Sequence, residues 1–170
     1  MKTLFICILL SCFSCMNINA QEIYNSIHSK AKEVVDNPTS EGIVKQFNQF
    51  KLDALDYLFI KMREEMPDST TAFLDKEAFA LNNFINLYTK TILEQRNEPK
   101  VFMVETIKIF MDASYSNPLF DDSDKDLVLS YYNNGESMTR FSLDTDWRRA
   151  FIAASFKLKE WREKKNISQK

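Results

Sequence analysis

Asp122, Asp124 and Asp126 alternate within Asp121-Asp122-Ser123-Asp124-Lys125-Asp126, and alternating acids are how a calcium loop begins, because they present carboxylate oxygens to a hard cation at every second residue. The pattern stops there. Counted from Asp122, the sixth position of such a loop needs glycine for its sharp turn and is Leu127; the twelfth needs a bidentate glutamate and is Asn133. The parts that close an oxygen shell are missing, so the acids read as a solvated cap at the start of a short helix, with weak surface attraction for a cation as the metal alternative.

A second pair of acids, Asp144 and Asp146, lies among aromatics in Phe141-Ser142-Leu143-Asp144-Thr145-Asp146-Trp147. Two carboxylates beside aromatic rings suit a sugar site, and a glycosidase uses such a pair as acid and base or nucleophile. The same residues also make a helix start, with Asp144 or Thr145 capping, Asp146 in the first turn and Trp147 opening an apolar stripe. The single histidine, His28, excludes any triad or two-histidine metal site, and its neighbours Asn25 and Lys32 mark it as a solvated helix residue. No phosphate loop, CxxC, HExxH or nucleophile elbow occurs. These observations point to a non-enzyme without cofactor.

Residues 1–20, MKTLFICILLSCFSCMNINA, read as a cleaved export signal: Lys2 is the positive start, Leu4 to Phe13 the apolar run, and Ala20 the small residue before the cut. An apolar run of about ten residues is too short to span a bilayer, which takes roughly 20. Leu9-Leu10-Ser11-Cys12 also resembles a bacterial lipobox, which implies a lipid anchor on Cys12 as the alternative to cleavage after Ala20. All three cysteines fall in this segment, so the mature chain has no thiol and relies on an ordinary hydrophobic core. Periplasmic or secreted placement follows from the signal. Its removal leaves 21 basic against 24 acidic residues, a balance that gives nucleic acid no electrostatic handle.

The elements that must position any site are helices. Two glycines and four prolines are too few turn residues for a β-sandwich. Apolar residues recur at three and four. The spacing predicts helices over Glu22 to Asp36, Ser40 to Met66, a third carrying Leu74, Ala78, Leu81, Ile85, Tyr88 and Ile92 and capped by Asp68 or Ser69, Pro99 to Ser116, a short one from Ser123 to Tyr132, and Thr145 to Lys164. Glu136 to Leu143 reads as a loop or a short extended piece. The Pro99 to Ser116 helix is apolar nearly all round and is expected at the centre. The reading is an all-α single domain over 21–170, an irregular or up-and-down bundle of five to six helices. Its core should include Phe47, Phe50, Leu58, Leu81, Ile85, Ile107, Phe110, Phe151 and Trp161.

Two further motifs are absorbed by simple roles. Lys157, Lys159, Arg162, Lys164, Lys165 and Lys170 form a basic end interrupted by Glu160 and Glu163, a solvated face. Asp68-Ser69-Thr70 resembles the short motif of bacterial periplasmic O-glycosylation, which implies a glycan on Ser69. The functional expectation is an exported interaction module whose partner is another envelope protein. The alternative is a binder of a small apolar, lipid-like ligand in a cavity lined by phenylalanine and methionine, and a hydrolase using Asp144 and Asp146 comes last.

Overall fold

The computed structural model describes residues 21–168, with side chains to residue 165, so the signal segment and Cys12 lie outside the described residues. The described chain is all-helical and without strands. Its long helices are α1 (Glu22–Asp36), α2 (Gly42–Glu65), α3 (Thr71–Glu94) and α4 (Lys100–Tyr115). Two single turns follow, α5 (Lys125–Val128) and α6 (Ser130–Asn133), and then α7 (Trp147–Ser168).

The arrangement is up-and-down. Tyr24 of α1 stacks on Phe59 and His28 meets Asp56, so α1 and α2 run antiparallel. Glu77 meets Trp147 while Glu94 meets Arg162, which sets α3 and α7 parallel. Glu105 meets Trp161 and Glu98 meets Lys165, which sets α4 against α7 in the opposite sense.

The centre is α3, not the apolar fourth helix. α3 packs against α1, α2, α4 and α7, and it buries Leu74, Ala78, Leu81, Phe84, Ile85 and Tyr88. The long helices against which α4 chiefly packs are α3 and α7. It buries Thr106, Phe110, Ala113 and Ser114 and leaves Val101 and Val104 54% and 63% exposed. Composition decided that expectation, and the number of neighbours overturns it. Two partners cover one side of a helix, whatever its other side is made of.

Six rings form the middle of the core. Phe84 lies edge-on to Phe110, Phe141 and Trp147 at 5.2, 5.1 and 5.5 Å, while Tyr88 meets Phe141 at 5.0 Å and Phe50 meets Trp147 at 5.9 Å. Each such pair adds roughly 0.5–1.5 kcal/mol beyond the area buried. Of the expected core, Phe47, Phe50, Leu58, Leu81, Ile85 and Phe110 are buried; Ile107, Phe151 and Trp161 pack at its edge, half-buried.

The connections carry the remaining differences. The expected helix from Ser123 to Tyr132 is split at Leu129, because the Val128 carbonyl accepts from Leu143 N at 3.2 Å, outside its own helix. Neither Asp68 nor Ser69 caps α3: Thr70 occupies the N-cap position without a side-chain bond, and Ser69 N closes a turn onto Met66 O instead. The segment before α7 is irregular yet buried, with Phe141 fully inside and Tyr88 donating its hydroxyl to Met138 O at 2.7 Å.

Candidate functional site

The helical period puts Phe102, Glu105, Ile109 and Asp112 along one side of α4, and Trp161, Lys164 and Lys165 face them from the last turns of α7. Between them runs a surface groove of about 530 Å³. Its floor is aromatic. Phe102 and Trp161 meet edge-on at 5.9 Å, and Trp161 is oriented by its indole N–H, which donates to Glu105 Oε2 at 2.9 Å. The Lys165 ammonium stands 4.4 Å from the Phe102 ring centre and 5.6 Å from that of Trp161, and it also pairs with Glu98 at 3.0 Å. The groove thus joins an apolar floor to a rim that carries both signs of charge.

The sequence placed Trp161 in the core stripe and Phe102 in an all-apolar helix, so the groove was missed. A trace of it was present: Phe102 and Ile109 are seven apart, as are Glu105 and Asp112, which stacks an apolar and an acidic row along adjacent lines of one helix. The basic end itself is largely paired, with Arg162 on Glu94 at 2.7 Å and Lys157 on Glu160 at 3.4 Å.

The sequence-derived carboxylates are held by backbone. Asp144 is buried, and its Oδ1 accepts from Leu119 N and Phe120 N at 3.0 and 2.8 Å while Oδ2 accepts from Asp122 N at 3.0 Å. It fastens the loop after α4 instead of capping a helix. The cap of α7 is Asp146, whose Oδ1 accepts from Arg149 N at 2.9 Å. Thr145 caps nothing either; its hydroxyl donates to Ser142 O at 2.7 Å and lies 2.8 Å from Ser114 Oγ.

The acids of the aspartate run have separate duties. Asp122 Oδ2 accepts from Tyr57 Oη at 2.9 Å and lies 3.1 Å from Lys61 Nζ, and its Oδ1 accepts from Asp124 N at 2.9 Å. Those bonds hold its carboxyl below the usual range, the Asp124 N–H first among them and Lys61 next. Burial first, then the nearby Asp144 and Asp122 carboxylates, push the Tyr57 phenol well above its ordinary value. Asp124 caps α5 through Leu127 N at 3.2 Å, and Asp126 is exposed. Among the described residues no three Asp, Glu, His or Cys side chains are grouped to hold a metal ion.

Two acids that the motif reading passed over do more. Glu77, 1% exposed, accepts at Oε2 from Trp147 N at 2.8 Å and from Arg148 N at 3.4 Å, so a side chain of α3 closes the first turn of α7. Asp75 does likewise for α1, accepting from Tyr24 N at 2.9 Å. The signal was legible: Glu77 lies in the buried stripe between Leu74 and Leu81, where an acid needs a partner. His28 is half-buried, stacked on Tyr24 at 5.7 Å with Nε2 3.0 Å from Asp56 Oδ1, which ties it to α2 rather than to solvent alone. Ser69 is half-buried beside a smaller groove of about 290 Å³ lined by Phe59, Met62 and Met66.

No family model matches this chain, and neither a curated protein nor a solved structure does. No described helix is long and apolar enough to cross a membrane.

Proposed function

We propose that this chain is an exported, non-enzymatic helical protein that works by binding another protein of the cell envelope. The observation that carries the reading is the first turns of α4, where the neighbouring Val101 and Val104 remain more than half exposed on a helix that already packs against α3 and α7. Apolar side chains gathered on a helix face favour burial against a partner. The commitment of Asp75, Glu77, Asp122, Asp124, Asp144 and Asp146 to backbone N–H groups supports the non-enzymatic part, because each is already used to hold a turn or a loop.

The test is a photo-crosslinking residue placed at Val104 and, for comparison, at the exposed Glu33 of α1, in the cell that produces the protein. One adduct of defined mass from position 104 and none from position 33 is the expected result. Equal patterns from both positions, or none from 104, would overturn the reading.

A second reading takes a small apolar ligand, and the α4–α7 groove favours it. Phe102, Ile109 and Trp161 give the floor and about 530 Å³ lies within the range of small-molecule sites. Native mass spectrometry of the purified protein checks it: a lipid-sized adduct that is lost on Phe102→Ala supports the groove, and an apo mass in every preparation removes this reading.

A further inference from the structure

Glu77 is shut between α3 and the start of α7, 1% exposed, with one short and one long bond to backbone N–H groups. Asp144 shows what a well-served buried carboxylate looks like, with three N–H donors within 3.0 Å. Glu77 has less to offset its lost hydration. The charged groups that act on it come from the start of α7: Asp146, half-buried, repels a second negative charge, and Arg148, exposed, attracts it. α2 adds Phe50, which lies edge-on to the Trp147 ring and brings no charge. A carboxyl so placed is held more easily as the neutral acid, whose carbonyl oxygen still accepts from Trp147 N.

We propose that α7 docks on α3 through a proton-linked latch, in which protonated Glu77 holds the first turn of α7 in place and ionised Glu77 loosens it. Burial first, and Asp146 second, raise this carboxyl from its ordinary value to about 7, so the latch works around neutral pH. The device reaches the groove, because Trp161, Lys164 and Lys165 ride on the same α7 helix that Glu77 fastens.

Trp147 and Trp161 are the only two tryptophans, so Trp161→Phe leaves Trp147 as a reporter of the latch itself. In that background, urea unfolding followed by Trp147 emission should show a folding constant about tenfold smaller at about pH 8 than at about pH 6, the effect of one proton. Glu77→Gln keeps the shape and the acceptor and removes the ionisation, and it should abolish the difference. A Trp161→Phe constant that does not change between the two pH values, or a Glu77→Gln variant in that background that keeps the tenfold change, overturns the latch. Should Glu77→Gln fail to fold, a carbon-detected titration of the Glu77 carboxyl in the unmodified protein decides: a midpoint near 7 supports the latch, and one near the ordinary glutamate value ends it.

Discussion

Asp75 and Glu77 stand two residues apart on α3 and hold the first turns of two different helices, α1 through Tyr24 N and α7 through Trp147 N. Residues at i and i+2 point to nearly opposite sides of a helix, which lets one short stretch of α3 serve neighbours on either hand. The two bonds differ in surroundings. Asp75 is half-buried and Glu77 fully so.

Truncating the two should therefore separate in magnitude. Asp75→Ala removes a cap that water can partly replace, and the expected loss of stability is about 1 kcal/mol. Glu77→Ala leaves backbone N–H groups unpaired and a void in the core, for an expected loss of about 3 kcal/mol. Urea midpoints at about pH 6 measure both; equal losses would show that burial does not decide the worth of these caps.

The paired acids of the Asp144-Thr145-Asp146 segment offer a second contrast. Asparagine caps helices as well as aspartate does, so Asp146→Asn should cost less than about 0.5 kcal/mol. Asp144→Asn turns an acceptor of three N–H groups into a side chain with one carbonyl and an N–H₂ facing donors, and about 3 kcal/mol should be lost. Thermal melts of the two variants check this. An Asp144→Asn protein as stable as the wild type would remove Asp144 from its place as fastener of the 119–122 loop.

Position on α3 should matter more than residue type. Phe84 is fully buried at the centre of the ring cluster and Phe79, on the outer side of the same helix, is 55% exposed. Phe84→Ala is expected to cost about 4 kcal/mol and Phe79→Ala less than about 0.5 kcal/mol. Chemical denaturation of both decides, and a large loss at Phe79 would mean that the outer side of α3 is covered.

The pH profile has two limbs with opposite signs. Glu77 binds its proton more tightly folded than unfolded, so its stabilisation is complete below the ordinary value of 4.5 and is lost as pH rises through about 7, on the order of 3 kcal/mol in all. Asp122 is lowered, so its contribution is present above the ordinary value of 3.8 and is lost as pH falls below it. Melting temperature against pH should decline on both sides of a maximum near pH 4 to 5, and Asp122→Asn should flatten the acid limb while leaving the neutral one. An acid limb that persists unchanged in Asp122→Asn would assign it to other carboxylates.

The sequence by itself determined the helices. Apolar residues at steps of three and four need no distant partner to be recognised, and α1 and α2 end within about one residue of the predicted positions because Pro38 and Pro67 remove the donors a helix needs to continue. The buried stripe of α3, from Leu74 to Ile92, was legible for the same reason. What only the tertiary structure decided is which side of each helix finds a neighbour. Val101 and Val104 are as apolar as the residues of α3, yet α4 packs on one side only and they stay in solvent. The same holds for the acids. Asp144, Asp75 and Glu77 take their meaning from N–H groups 22 to 71 positions away, and a bond across that separation exists only once the chain has folded to bring donor and acceptor together. Periodicity is a local property of the backbone, whereas neighbour and partner are set by packing.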